Sequence, residues 1–209
     1  MEYEVRYYFN SEKRADLDNK LKSINSLKKG KRTYEKTIQF DHSNEEFSFY
    51  SKEVDGRFRI RISKNEDNCS CKISWKRRLI DTILTDVNKE EEVEVKVNYE
   101  DYENLLFLIN NVLKMKQIES YERYRTIYYN DEIEISIDEY PFGIALEIEN
   151  KSDNNAEEIV KKWVDVLGFD IKDCYRLSWD DKYTELCRNQ NIEIFKDVTF
   201  DKVMPKVVD

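Results

Sequence analysis

Charged residues recur at every second position along seven stretches of the sequence. Carboxylates do so within residues 2–6, 92–96, 132–138 and 147–149, and arginines or lysines do so within 57–61, 72–76 and 123–125. Alternation with a period of two is the pattern of a β-strand whose two faces differ. Like charges in a row repel each other, so each charged face must either lie in water or hold counter-ions.

The clearest of these stretches runs from Asp131 to Glu149 and predicts a hairpin. Isoleucines at 133, 135 and 137 alternate with polar residues, and Leu146 and Ile148 alternate with Glu147 and Glu149. Pro141, Phe142 and Gly143 lie between the two halves and predict a tight turn. One face of the hairpin is therefore aliphatic, and the other is rich in carboxylates.

The remaining chain supplies the elements that must position these faces. Strands are predicted at 2–9, 32–40, 46–50, 57–63, 71–77, 91–99, 121–129 and 174–178, and the segment 79–89 is ambiguous. Four helices are predicted. The first runs from a cap at Ser11 to about Lys29, with Gly30 as the stop, and the second covers about 100–114. The third runs from a cap at Ser152 or Asp153 to Gly168, and the fourth runs from a cap at Asp180 to Leu186. The short connections predict mostly antiparallel pairing and an α+β domain over residues 1–195, with a tail at 196–209.

Two arrangements of the sheet satisfy the alternation. In an open antiparallel sheet the apolar face packs on helices and the charged face lies in water, which is ordinary for a single strand. Here, however, the signs of charge are sorted by strand, and this favours a closed barrel of about eight strands with the charges inside and the helices outside. Unpaired charges in a lumen are costly, so such a barrel must hold ligands. Mg²⁺ or Mn²⁺ would suit the carboxylates, and a triphosphate would suit the arginines.

Composition excludes several classes of function. The formal charge of −9 on 209 residues argues against a DNA-binding protein or a general RNA-binding protein. The single histidine, His42, excludes a histidine-based triad or zinc-hydrolase motif, and four cysteines without a CxxC pair are expected to be free thiols rather than a disulfide or zinc site. No apolar run reaches a membrane-spanning length, and the charged N-terminus does not resemble a signal peptide, so we expect a cytoplasmic protein without a membrane partner.

Seven short motifs, in order over about residues 2–188, resemble those of the CYTH superfamily, the triphosphate tunnel metalloenzymes, including its CyaB-like and thiamine-triphosphatase-like members. The first is EYEVR at 2–6, which is similar to the family's ExExK signature. The others are RFRIRIS at 57–63, ISWK at 73–76, EEVEV at 91–95, RYRTIYY at 123–129, ISIDEYPFGIALEIE at 135–149 and KYTEL at 182–186. Arg6 and Arg123 replace the usual lysines, and Ser136 stands where some members have an acidic residue.

The resemblance implies an eight-stranded antiparallel tunnel with helices packed outside and a set of residue roles. Metal ligands would be Glu2, Glu4, Glu147 and Glu149, with Asp138 as a further candidate. Phosphate contacts would be Arg6, Arg59, Arg61, Lys76, Arg123, Arg125 and, from the C-terminal region, Arg176 or Lys182. Catalytic support would come from Glu4, Glu92 or Glu94.

Family members hydrolyse tripolyphosphate, thiamine triphosphate, nucleoside triphosphates or RNA 5′-triphosphates, and some convert ATP to cyclic AMP. The resemblance therefore implies a hydrolase dependent on Mg²⁺ or Mn²⁺ that acts on a small-molecule triphosphate, with an RNA 5′-triphosphate end as a less favoured substrate. An adenylate cyclase and a polyphosphate-binding or nucleotide-binding module without turnover are the alternatives. The absence of GxxxxGK[ST] excludes a P-loop enzyme. We expect a monomer or a homodimer.

Overall fold

The computed structural model describes residues 1–50, 54–79, 86–152 and 154–208. Its strands are β1 (Glu2–Phe9), β2 (Lys28–Lys29), β3 (Thr33–His42), β4 (Asp55–Lys64), β5 (Cys69–Arg78), β6 (Asn88–Val97), β7 (Met115–Tyr129), β8 (Ile133–Tyr140), β9 (Gly143–Asn150) and β10 (Asp197–Val198). Its helices are α1 (Arg14–Lys22), α2 (Tyr102–Phe107), α3 (Ala156–Val166) and α4 (Trp179–Gln190). The α+β class predicted from the sequence is confirmed.

Eight of the strands close into an antiparallel barrel. They follow one another in the order β7-β3-β4-β5-β6-β1-β9-β8, and β8 pairs with β7 to complete the ring. The two short strands β2 and β10 lie outside this ring and both pair with β7. Closure removes every free edge of the eight strands and separates an inner face from an outer face. The closed barrel is therefore confirmed over the open sheet.

The apolar faces of the strands point outward; helices cover that of the β8–β9 hairpin, whereas Val93 and Val95 on β6 stay exposed. Ile133, Ile135 and Ile137 are fully buried in a core that includes residues of α1 and α3. Burial of such a side chain contributes roughly 1.5–3 kcal/mol, which is why the aliphatic face is the one that receives the helices. A second core lies between α4, the C-terminal segment and the β8–β9 turn, and a third lies under α2.

The hairpin turn requires glycine at position 143. Gly143 has φ +157°, and a Cβ atom there would lie 2.9 Å from the carbonyl oxygen of Phe9 and 2.7 Å from Cγ2 of Val207. The predicted turn at 141–143 is confirmed, and this close approach holds the turn against the end of β1.

The first predicted helix is shorter than its sequence pattern. A 3-10 turn at Ser11–Lys13 leads into α1, which ends at Lys22, and the Asn10 side chain rather than Ser11 caps the turn. Residues 23–26 include two serines and an asparagine, which compete with the helical backbone for hydrogen bonds. Gly30 therefore does not stop the helix; its N–H donates to the carbonyl of Ile127 at 2.8 Å beside β2.

Other boundaries also differ from the prediction. Residues 45–47 form a 3-10 turn capped by Asn44 instead of the start of a strand, and β7 begins at Met115 rather than 121. The helix predicted at 100–114 consists of a 3-10 turn at Tyr99–Asp101, then α2 and a π turn at Leu108–Val112. Most of the ambiguous segment 79–89 lies outside the described residues.

The C-terminal third differs in its caps. Asn155, not Ser152, precedes α3, and Asp153 lies outside the described residues; Gly168 follows the helix at φ +66° as predicted. Residues 174–178 form no strand, and Ser178 rather than Asp180 caps α4, in a capping box with Asp181.

The segment 196–208 packs on the barrel. β10 pairs with β7 in parallel, and Val198, Met204 and Val207 are buried. The domain boundary at residue 195 stays a prediction.

All four cysteines are free thiols. Within the described ranges, no helix is long and apolar enough to cross a membrane.

Candidate active site

The lumen of the barrel contains a cavity of about 340 Å³ that is lined almost entirely by charged side chains. Nine cations line it: Arg6, Arg57, Arg59, Arg61, Lys72, Lys76, Arg78, Arg123 and Arg125. Eight carboxylates line it: Glu2, Glu4, Glu90, Glu92, Glu94, Glu134, Glu147 and Glu149. Tyr121, Tyr140, Ser178 and Trp179 complete the lining. The alternation seen in the sequence therefore places both signs of charge in one confined space.

We call Arg59, Arg61, Arg123 and Arg125 the basic wall; they project from β4 and β7, which lie on either side of β3. Buried carboxylates hold Arg123 and Arg125, the two arginines of this wall that lie on β7. Glu35 accepts from Arg123 Nε at 2.8 Å, and Asp138 accepts from Arg123 Nη1 at 2.8 Å and from Arg125 Nε at 2.6 Å. Both carboxylates are buried, so these charge-assisted bonds fix the guanidinium planes.

Arg59 and Arg61 are less fully paired. Arg59 Nη2 donates to Glu92 at 2.9 Å, but its Nε is buried without a hydrogen-bond partner. Arg61 Nε donates to the Thr37 hydroxyl at 3.2 Å and lies 3.8 Å from the Glu35 carboxylate. A buried donor without an acceptor is costly.

The opposite side of the lumen gathers carboxylates around one ammonium group. Lys76 Nζ lies 2.9 Å from Glu2, 3.2 Å from Glu4, 2.7 Å from Glu90 and 3.7 Å from Glu92. These four carboxylates and Glu149 form what we call the acidic wall. Burial of the ammonium group acts to lower the pKa of Lys76. Glu4 and Glu2 outweigh burial because they favour the charged form, so the pKa is raised.

The carboxylates of the lumen differ in their affinity for protons. Burial raises the pKa of Glu149 to about 8, and the nearby Glu2 and Glu4 add to the effect. Burial also acts to raise the pKa of Glu92, but Lys76 and Arg59 outweigh it and lower that pKa to about 2. Glu147 forms ion pairs with Arg6 and Arg125. Burial acts to raise the pKa of Glu147, but these two arginines outweigh it and hold the pKa well below the usual range.

The chemistry of the donor set fits a hard divalent cation. Glu2, Glu4 and Glu149 are oxygen donors; burial, followed by the negative charges of Glu2 and Glu4, raises the pKa of Glu149, and a cation would offset both effects. In the described part of the chain, no three acidic, histidine or cysteine side chains are already arranged as a metal site. Lys76 lies among these carboxylates instead, so a metal ion would have to replace its contacts.

The structure brings most of the predicted site residues together. The lumen contains Glu2, Glu4, Arg6, Arg59, Arg61, Lys76, Glu92, Glu94, Arg123, Arg125, Glu147 and Glu149. Asp138 and Ser136 are buried behind the cavity lining, and Ser136 lies across from Glu147 in the β8–β9 ladder. The roles assigned to these residues stay predictions.

The predicted C-terminal basic contacts lie outside the cavity lining. Lys182 Nζ is 3.0 Å from Glu185 and lies over the rings of Tyr8 and Tyr175. Arg176 accepts through its carbonyl from the Asn88 side chain at 3.2 Å. Ser178 and Trp179, at the start of α4, do line the lumen.

Sequence reasoning did not assign several residues of the site. Glu90 continues the alternation of Glu92 and Glu94 by one step, so the pattern could have identified it. Arg57 and Lys72 stood on recognised charged faces, and Arg78 continues the face of Lys76. Glu35 and Tyr121 carry no such signal, because each lies in a strand whose inward residues are chemically mixed.

Comparison with solved structures identifies the fold. No protein-family model and no curated protein sequence matches the chain. The PH1012 protein of Pyrococcus horikoshii OT3 is similar at a TM-score of 0.65 and 19% identity, over 86% of this chain and 97% of that one. A candidate adenylate cyclase of Vibrio parahaemolyticus is similar at a TM-score of 0.62 and 13% identity, over 86% of this chain and 96% of that one. HpAC1 of Hippeastrum, a candidate adenylyl cyclase with a dominant triphosphatase activity, is similar at a TM-score of 0.59 and 15% identity, over 93% of this chain and 98% of that one.

These likenesses show a shared fold. The CYTH resemblance suggested by the motifs fits both the neighbours and the closed barrel. At such identities, activity has to be argued from the side chains in the lumen.

Proposed function

We propose that the protein is a metal-dependent phosphohydrolase that cleaves the terminal phosphoanhydride of a triphosphate inside the barrel. Inorganic tripolyphosphate, thiamine triphosphate and nucleoside triphosphates are the candidate substrates. The observation that carries the proposal is the lumen itself, in which a guanidinium-rich wall faces a carboxylate-rich wall across a cavity of about 340 Å³.

The basic wall supports the binding of a phosphate chain. Arginine matches phosphate oxygens with paired N–H donors, and all four arginines of the basic wall line the cavity. Arg123 and Arg125 are held in place by buried carboxylates, so little side-chain entropy would be lost when phosphate binds. Such preorganised cations also stabilise charge that develops on the transferring and leaving oxygens.

The acidic wall supports the binding of Mg²⁺ or Mn²⁺. Glu2, Glu4 and Glu149 of this wall, together with Glu147 on the same face of β9, would hold the metal. Arg6 and Lys76 would then be released toward the phosphates. A bound divalent cation supplies charge neutralisation at the phosphate oxygens and lowers the pKa of water. Asp138 was also predicted to be a ligand, but its position behind Arg123 and Arg125 favours an orienting role.

The reaction would be an in-line displacement. The oxygen of a water molecule forms a bond to the terminal phosphorus as the anhydride P–O bond breaks, and tripolyphosphate becomes orthophosphate and pyrophosphate. The proton from water passes to a carboxylate, for which Glu4, Glu92 and Glu94 are the candidates. Because its pKa is about 2, Glu92 is ionised at neutral pH and can orient water by accepting a hydrogen bond.

The proposal is tested by phosphate release from tripolyphosphate, thiamine triphosphate and ATP with Mg²⁺ and with Mn²⁺. Glu147→Ala and Glu149→Ala should each remove most of the metal-dependent release. Glu91→Ala is the matched control, because Glu91 lies on the outer side of β6 and pairs with Arg77 at 2.6 Å, away from the cavity lining. Full activity in both lumen variants would contradict the metal assignment.

A second candidate function is adenylate cyclase activity, which is favoured by the description of the Vibrio neighbour. A cyclase would convert ATP to cyclic AMP and pyrophosphate without releasing orthophosphate. Chromatography of the products from ATP separates the two activities. Tight binding of tripolyphosphate or ATP without any product would instead indicate a binding module.

A further inference from the structure

Tyr121 lies in the lumen beside the basic wall, on β7 two residues before Arg123. Its side chain is 3% exposed and lines the cavity. Thr37 is its cross-strand partner on β3. No motif identified in the sequence includes this residue.

Two aromatic neighbours fix the position of the Tyr121 ring. Its centroid lies 4.3 Å from the ring of Trp179 on α4 and 5.7 Å from the ring of Tyr140 on β8. Trp179 and Tyr140 are themselves buried. The phenol therefore cannot swing away, and α4 serves to hold a hydroxyl group at the lumen.

Charged groups face this phenol from two strands. The guanidinium carbon of Arg123 lies 5.9 Å from the ring centroid, and Arg59 and Arg61 line the same cavity from β4. Burial acts to raise the pKa of Tyr121, but Arg123, Arg61 and Arg59 outweigh it and lower the pKa to about 8. The groups that surround it are thus Arg123 on β7, Arg59 and Arg61 on β4, Thr37 on β3, Tyr140 on β8 and Trp179 on α4.

We propose that Tyr121 is a direct substrate contact, whose hydroxyl donates a hydrogen bond to a non-bridging oxygen of the bound phosphate chain. The inference rests on the proposed function insofar as the ligand is a phosphate chain. The three arginines that would bind the phosphates line the same cavity as Tyr121, and Arg123 lies against its ring, so a phosphate oxygen held by them would lie near the hydroxyl. A hydroxyl that donates to an anionic oxygen makes a short and strong bond.

The test compares Tyr121→Phe with Tyr124→Phe. Phenylalanine keeps the ring against Trp179 and removes only the hydroxyl. Tyr124 is on the same strand but packs against Tyr34 and Phe200 outside the cavity lining, so it is a matched control. Thermal unfolding of each variant checks that the barrel is intact.

Two measurements report on the contact. Calorimetric titration with tripolyphosphate in the presence of a chelator should show roughly 10-fold or greater loss of affinity in Tyr121→Phe and less than about twofold loss in Tyr124→Phe. Ultraviolet titration of wild type should show a phenol that ionises near pH 8, absent from Tyr121→Phe. Saturating tripolyphosphate should move this transition to higher pH, because an adjacent anion favours the neutral phenol.

The outcomes distinguish this inference from the proposed function. If wild type and Tyr121→Phe bind and hydrolyse tripolyphosphate equally well, the contact is wrong and the hydrolase proposal stands. If wild type binds tripolyphosphate without releasing phosphate and Tyr121→Phe binds it more weakly, the contact stands and the hydrolase proposal fails. If wild type binds no tripolyphosphate, the contact is overturned; if it also releases no phosphate from any of the candidate triphosphates, the hydrolase proposal fails as well.

Discussion

Replacing Asp138 by asparagine separates two roles for this carboxylate: metal ligand and holder of arginines. Asp138 is fully buried and bonds both Arg123 and Arg125, at 2.6–2.8 Å. Asparagine keeps the size of the side chain and removes its charge. The two guanidinium groups would then lose one shared counter-ion that is itself fully buried.

The magnitude follows from what each arginine retains. Breaking a buried ion pair by removing one partner costs roughly 3–5 kcal/mol, because a buried charge is left uncompensated. Arg123 keeps Glu35 and Arg125 keeps Glu147, so we expect the lower end, about 3 kcal/mol of unfolding free energy. For a domain of this size that corresponds to a fall in Tm of roughly 6–12 °C.

Chemical unfolding, thermal unfolding and Mn²⁺ titration decide between the roles. We expect Asp138→Asn to lower stability and to weaken phosphate binding, while Mn²⁺ affinity stays within about threefold of wild type, because other carboxylates would supply the ligands. Glu139→Gln is the control, since Glu139 is the next residue, pairs with Arg32 and Arg14 nearer the surface, and should cost at most about 1 kcal/mol. Unchanged stability together with a tenfold or greater loss of Mn²⁺ affinity would refute the reasoning.

Two further predictions concern the scaffold. Gly56→Ala should destabilise the barrel by roughly 1–3 kcal/mol in urea unfolding, because the new Cβ would lie 2.3 Å from Trp75 Cη2. Unchanged stability would mean that β4 and β5 can separate at this position. Asp18→Asn should also destabilise the protein, because it removes the charge that Lys22 and Lys29 bond. Burial acts to raise the pKa of Asp18, but the bonds from these two lysines outweigh burial and lower that pKa. A lowered pKa stabilises the fold above the ordinary value of 3.8 and loses this effect as pH falls below it, so the wild-type advantage in unfolding free energy should be smaller at about pH 3 than at about pH 7. An advantage that grows on acidification would contradict the ion-pair account.

Strand positions and the two faces of each strand could be predicted from local pattern. β1 matches its predicted range, and β4, β5, β8 and β9 lie within a few residues of theirs. The reason is that side-chain direction in a strand depends only on parity, so Glu147 and Glu149 had to share a face wherever the strand lay. Helix ends were less predictable, because Asn10 and Ser178 compete with neighbouring residues for the same capping bonds.

Other features depended on contacts between residues far apart in the chain. Closure depends on β7, which pairs with β3 on one side and with β8 on the other. Because closure brings strands together across the lumen, it pairs Glu147 with both Arg6 and Arg125.

Local pattern alone was enough to place carboxylates and guanidinium groups in rows on strand faces, since a period of two requires no partner. Which charges neutralise one another depended on the folded barrel. The barrel buries Asp138 behind Arg123 and Arg125, which it bonds. Charge pairing depends on distances across the barrel, and these distances are a property of the closed ring rather than of any one strand.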